Sequence, residues 1–199
     1  MYPISLPDDW LATDQHKISN QQARDWVCSE SSLTIRIKEL GISFSLEVLN
    51  QTEQVLTKSM QKLLSTNDTS AMFREVLLKQ AGIPLIYAQT IIPSSTISGT
   101  EKMLAELGNQ PLGQVLFQSP KSIRGNIQYS LVKNNSQLGR YIETVLNQPM
   151  QEPSYIRRSV FRLNHKPLLV CECFLPALFI SDDSLGELHE ARYNKGQVN

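Results

Sequence analysis

The chain has 199 residues, with 19 basic and 19 acidic side chains and a formal net charge of zero. Its 41% hydrophobic content supplies a folded core and excludes a disordered chain, and its length fits one domain or two small ones. The charge balance argues against a nucleic-acid partner and leaves no long-range field to gather anions, so an anionic ligand has to be held by a few placed charges.

In chain order, Asn20 is placed to cap a helix through about Cys28, anchored by Trp26. A second short helix starts at Ser31 or Ser32 and stops before Gly41. From Ile42 the period becomes two: Ile42, Phe44, Leu46 and Val48 alternate with polar residues, as in a half-buried strand. A separate partner strand is expected over 54–57, and a polar loop over 58–70. Residues 71–80 and 84–92 read as a hairpin around Gly82, closed by Pro93. Two helical stretches follow, 100–107 ending at Gly108 and 111–117. Residues 123–131 alternate as one strand, and 136–146 form an amphipathic helix with Leu138, Tyr141, Ile142 and Val145 on one side. A second hairpin joins 155–163 to 167–175 through Asn164-His165-Lys166. Beyond Ile180 the chain is polar. Hairpins without regular β-α-β alternation predict an α+β domain on a mostly antiparallel sheet.

The N-terminal residues lack the basic-then-apolar pattern of a secretory signal. The most apolar stretch, 168–180, is interrupted by Glu172 and Pro176 and is too short for a membrane span. Three cysteines, Cys28, Cys171 and Cys173, fit a reducing cytosol, so a cytoplasmic protein is expected. Cys171 and Cys173 point the same way along a strand, which disfavours a disulfide between them. With His16, His165 and His189 scattered, no metal site is expected, and buried structural thiols are the better reading. The absence of a P-loop, a dinucleotide-binding glycine motif and a nucleophile elbow disfavours nucleotide chemistry and serine hydrolysis.

Two charges break the apolar pattern. Arg74 shares a strand face with Met72, Val76 and Leu78; Glu172 shares one with Leu168, Val170 and Phe174. Buried charges are costly unless paired. Either the two pair with each other, or the sheet lines a cavity. In the second case Arg74 binds a carboxylate through its planar fork and Glu172, with a raised pKa, meets a hydroxyl. The Arg157-Arg158 pair is read as a solvated strand edge.

Several stretches together resemble the chorismate–pyruvate lyase family. They are the Arg-Glu-hydrophobic strand at Arg74, Ile92-Pro93 followed by Ser-Thr-Ile-Ser-Gly, Pro-Leu-Gly at 111–113, and Lys-Pro-Leu-Leu ending in Glu-x-Phe-Leu-Pro at 166–176. Asp25-Trp26 and Ser-Leu-Thr at 32–34 fit the family's N-terminal helices. The resemblance spans roughly residues 20–180, leaving 1–19 as a lead-in and 181–199 as a polar tail.

The resemblance implies a single α+β domain with about six antiparallel strands and helical flaps over an internal ligand cavity. It implies elimination of pyruvate from chorismate to give 4-hydroxybenzoate, the first step of the ubiquinone ring pathway, without cofactor or metal. Arg74 and Glu172 fall on the catalytic positions. Leu33, Arg74, Leu112 and Glu172 fall on the substrate-binding positions. The family commonly has Gly-Arg-Thr where this chain has Ala88-Gln89-Thr90, so a positive charge expected in the site is missing at Gln89; Arg124 and Arg158 are the candidates to replace it. The expected partners are chorismate and its two products, with no nucleic acid and no membrane span, on a monomer. The competing expectation is a non-catalytic domain of the same fold that binds an effector or 4-hydroxybenzoate.

Overall fold

The computed structural model describes residues 5–13, 18–41, 43–147, 149–150 and 152–179. The predicted tail beyond Ile180 lies outside the described residues. Among them, eight antiparallel strands form one sheet. The order is β1 (Leu11–Ala12), β6 (Gln128–Val132), β7 (Ser154–Leu163), β8 (Lys166–Phe174), β4 (Ile83–Pro93), β3 (Ser70–Gln80) and β2 (Phe44–Val55), with β5 (Ser122–Arg124) also pairing β7. The α+β architecture is as expected; two short strands, β1 and β5, extend the anticipated six.

Both hairpins turn on two residues with positive φ, Ala81-Gly82 and Asn164-His165, the geometry that matches strand twist. Lys166 therefore belongs to β8 rather than to the turn. The expected separate strand at 54–57 is the continuation of β2. A bulge between Val48 and Asn50 breaks the period-two pattern while pairing with β3 continues to Val55. Residues 58–70 are not simply a loop. Thr57 Oγ1 accepts from the Met60 amide at 3.3 Å and starts α3 (Lys58–Leu64). The strand expected over 123–131 divides into β5 and β6, because the chain leaves the ladder where the Gly125 amide donates to the Val160 carbonyl at 2.8 Å.

The helices cover both faces. On one face, α3 and α5 (Gln137–Leu146) pack over Phe73, Leu77, Tyr87, Ile91, Leu169, Cys171 and Cys173. Both strand cysteines are free and buried there, and burial pushes the Cys171 thiol up to about 12. On the other face lie α1 (Gln21–Val27), capped by Asn20 at 2.9 Å from the Ala23 amide, α2 (Leu33–Glu39) and α4 (Leu112–Gln118). The 100–107 segment is a 3-10 helix, Gly99–Ala105. This face has two separate apolar clusters. One joins α1 and α2 to Val76, Leu78, Ile86 and Phe174; the other joins α4 to Met72, Ile92, Phe161 and Leu168. Polar side chains occupy the sheet between them.

Candidate active site

Register places those polar residues. One cross-strand row on the α2/α4 face runs Gln51, Arg74, Thr90, Val170 and Ser159; the next runs Val48, Val76, Ala88, Glu172 and Arg157. The β2 bulge shifts the alternation so that Gln51 lies opposite Arg74. Above these rows is a cavity of about 50 Å³, floored by Arg74, Thr90, Arg157 and Glu172 and bounded by Arg124. Ser32, Leu33 and Thr34 of the α2 start and Pro111, Leu112 and Gly113 of the α4 start close it from above.

Arg74 is 2% exposed, and burial lowers its pKa. Its Nη1 donates to Gln51 Oε1 at 2.8 Å and its Nη2 to the Gly108 carbonyl at 2.6 Å. Arg74 and Glu172 are therefore not an ion pair with each other. Instead Glu172 Oε2 accepts from Arg157 Nε at 2.7 Å, so Glu172 is paired with Arg157 rather than with Arg74. Arg157 is 1% exposed and is not on a solvated edge, because β7 lies inside the sheet between β6 and β8. Its Nη1 also donates to the carbonyls of Ser29 at 2.6 Å, Trp26 at 3.3 Å and Val27 at 3.4 Å. Those carbonyls end α1, where a helix leaves acceptors without intrahelical partners. Arg124 donates from Nε to Ser159 Oγ at 3.0 Å and from Nη1 to the Glu30 carbonyl at 3.1 Å. Burial, then nearby Arg157, draws its pKa down to about 10, which leaves it a cation at neutral pH.

Each cavity arginine thus holds backbone at the root of a flap. Arg74 holds the approach to α4, and Arg157 and Arg124 hold the link between α1 and α2. The Ser32 and Thr34 side chains lie over Gly113. A Cβ there would meet Ser32 Oγ and Thr34 Oγ1 at 3.4 Å each.

Of the residues singled out from sequence, Leu33, Arg74, Leu112, Arg124 and Glu172 line this cavity; Gln89 and Arg158 do not. Gln89 faces the opposite side, where its Nε2 donates to Glu75 Oε1 at 3.2 Å beside the Tyr87 hydroxyl at 2.5 Å. Glutamine there removes no charge from the cavity, correcting the expectation of a missing site arginine. Arg158 also faces away, bonded to Gln128 Oε1 at 2.9 Å and lying 4.1 Å from the Trp10 ring centroid. The sequence reading puts Arg157 on a solvated edge and gives Ser32 and Ser159 no place in the site. Adjacent strand residues face opposite sides, so Arg157-Arg158 had to send one guanidinium toward Glu172's face.

Among the described residues no group of three His, Cys, Asp or Glu side chains is placed to hold a metal, and no helix is long and apolar enough to cross a membrane.

Residues 7–183 match the family model described as chorismate lyase. A protein of Pseudoalteromonas translucida named "Probable chorismate pyruvate-lyase" is 34% identical, the match covering 90% of this chain and 98% of that one. One of Psychromonas ingrahamii with the same name is 33% identical over 88% and 94%. Among solved structures, the effector domain of PhnF from Mycobacterium smegmatis shares the fold. The TM-score is 0.55 at 11% identity, covering 74% of this chain and 90% of that one. The C-terminal domain of the histidine utilization repressor from Pseudomonas syringae pv. tomato aligns with a TM-score of 0.52 at 9% identity, over 70% and 96%. At such identities the structural likeness concerns the fold alone, whereas the family model and the relatives span nearly all of the chain. The chain belongs to the chorismate lyase family.

Proposed function

We propose that this protein is a chorismate pyruvate-lyase that releases pyruvate and 4-hydroxybenzoate, supplying the ring precursor of ubiquinone in the cytoplasm. The observation that carries the reading is the convergence of Arg74, Arg124 and the Arg157–Glu172 pair on one cavity, in a chain of this family. Chorismate carries a ring carboxylate, an enolpyruvyl ether with a second carboxylate, and a ring hydroxyl. The two arginines supply a cation for each carboxylate. Arg157 occupies one Glu172 oxygen, leaving the other to accept from the ring hydroxyl.

In the reaction the ether C–O bond to the ring breaks and the hydrogen on the hydroxyl-bearing carbon leaves. The released enolpyruvate takes up one proton at its methylene carbon to become pyruvate, the ring carbon gives one up, and the ring becomes aromatic. Atoms and electrons balance without an outside oxidant or reductant. Aromatisation drives the step, so the protein's contribution is to hold the reactive conformer and exclude water. Arg157 is a positioning residue: its Nη1 is fixed on the α1 carbonyls while its Nε fixes the Glu172 carboxylate.

The test is incubation of purified protein with chorismate, following 4-hydroxybenzoate by absorbance and pyruvate by a coupled assay. The two products are expected in equal amounts. Removing the Glu172 carboxylate altogether would strand buried Arg157 at a cost of about 3–5 kcal/mol. Glu172→Gln is the cleaner variant, since it keeps an oxygen for Arg157 and turns the other acceptor into a donor. Its turnover is expected to fall by about 100-fold or more, with folding retained. Wild-type turnover in that variant would remove Glu172 from the chemistry. Binding of 4-hydroxybenzoate with no pyruvate released by the wild type would leave a non-catalytic ligand-binding domain as the reading.

A further inference from the structure

The cavity roof contains a buried hydroxyl that neither the fold nor the proposed chemistry has used. Ser32 is 3% exposed and lines the cavity beside Leu33 and Thr34, and its Oγ has no hydrogen-bond partner among the described residues. A buried hydroxyl without a partner is unusual and costly, and it calls for a cause.

Capping does not supply one. Ser32 stands at the N-cap position of α2, where serine normally accepts from an amide two or three residues on. Asn20, Thr57 and Ser136 make that bond in this fold, to the amides of Ala23, Met60 and Gly139. The Ser32 side chain makes none. Its neighbour across the roof is Gly113, which has no side chain to satisfy it. Two residues earlier, the Glu30 carbonyl is held by Arg124, so the hydroxyl hangs from backbone that a cavity cation fixes.

We infer that Ser32 is a substrate-binding residue whose hydroxyl donates to a carboxylate oxygen of the ligand once the flaps enclose it. This deepens the proposed function and rests on it for the identity of the ligand. A hydroxyl suits the place: it adds a donor without another charge beside Arg124 and Arg157, and it needs a ligand acceptor to complete its bonding.

The experiment compares the full-length wild type with Ser32→Ala, Ser32→Thr and Ser32→Asp. It measures thermal midpoint, the KM and kcat of chorismate turnover, and the Kd of 4-hydroxybenzoate by calorimetry. Ser32→Ala should keep the wild-type melting temperature and raise the chorismate KM about tenfold or more, the loss of one hydrogen bond to a charged group. Ser32→Thr, which keeps the hydroxyl, should restore most of that loss. Ser32→Asp puts an anion beside Arg124 and Arg157 where the ligand carboxylate would sit, so binding of both compounds should be lost, and the melting temperature reports whether the fold is kept. A raised Kd for 4-hydroxybenzoate in Ser32→Ala would assign the ring carboxylate; an effect on chorismate alone would assign the enolpyruvyl carboxylate.

Wild-type KM and Kd in Ser32→Ala would overturn the inference. So would a drop in melting temperature with unchanged affinity, which marks a structural hydroxyl. If the wild type binds 4-hydroxybenzoate but does not turn chorismate over, the lyase reading fails, and the Kd series still decides Ser32. If the wild type binds neither compound, both readings fail.

Discussion

In the proposed reaction Arg74 and Arg124 each meet one carboxylate of the substrate. Each keeps some N–H donors on flap backbone or neighbouring side chains and is buried enough for a ligand carboxylate to be felt strongly. Arg124 retains its charge at neutral pH despite the burial that draws it down to about 10. Arg124→Gln should therefore act on binding: the chorismate KM is expected to rise about 10- to 100-fold with kcat little changed. Steady-state kinetics at pH 7.5 check this, and a fall in kcat at unaltered KM would move Arg124 from binding to the chemical step. Arg74 and Glu172 were legible from sequence as charges on apolar strand faces. Arg157 was legible in principle. In a hairpin with a two-residue turn at Asn164-His165, Arg157 must fall directly opposite Glu172. Counting Lys166 into the turn displaced that register.

The short elements over the sheet roof the cavity. α2 and α4 are both seven residues long, too short to be stable alone, so tertiary contacts hold them. Their contact runs over Gly113, where a methyl would already lie in van der Waals contact with Ser32 and Thr34 and a branched side chain would add two further carbons. Gly113→Val should wedge the flaps apart, an overpacking cost of about 1–3 kcal/mol felt mainly in the closed state. The expected result is a chorismate KM raised about tenfold or more with a melting temperature within a few degrees of wild type. A variant with unaltered KM would show that α2 and α4 need not meet. α3 escaped the sequence reading because it is short and its stretch is mostly polar, although Met60, Leu63 and Leu64 stand at helical spacing on one face. Thr57 as its cap was the available signal.

Distant parts of the chain are tied together at the far end of the sheet. Lys166, first residue of β8, donates from Nζ to the Ser98 carbonyl at 2.6 Å and to Glu101 Oε2 at 2.7 Å. Thr96 Oγ1 donates to the Pro167 carbonyl at 2.7 Å. Two stretches that stood out separately in the sequence, around residues 95–99 and from Lys166, are thus halves of one lock between the β7–β8 turn and the root of the α4 flap. Bonds from Lys166, then Thr100 and Asn164, hold the Glu101 carboxyl at about 2, well below its ordinary value near 4.5. A carboxyl whose folded pKa is depressed stabilises the fold above its unfolded pKa and loses that contribution as pH falls through the folded one. The melting temperature of wild type should exceed that of Glu101→Gln at pH 6, and the gap should close progressively between about pH 4.5 and about 2. A gap independent of pH would mean that the carboxyl's charge has no part in the lock.

By itself the sequence determined the α+β class, both long hairpins, the cap at Asn20, and the two charges that mark the cavity floor. Each follows from local physics: side-chain period, turn residues, helix caps, and the cost of placing a charge among apolar neighbours. The family resemblance rested on the same stretches. The tertiary structure decided which sheet face bears the cavity and which of the possible charge pairs forms. Gln89 and Arg158 turn away because residues one step along a strand point to opposite sides. The bulge at Val48/Asn50 reverses the alternation without any turn residue to announce it. Glu172 found Arg157 rather than Arg74 because register, a property of paired strands, sets the distance between charges far apart in the chain.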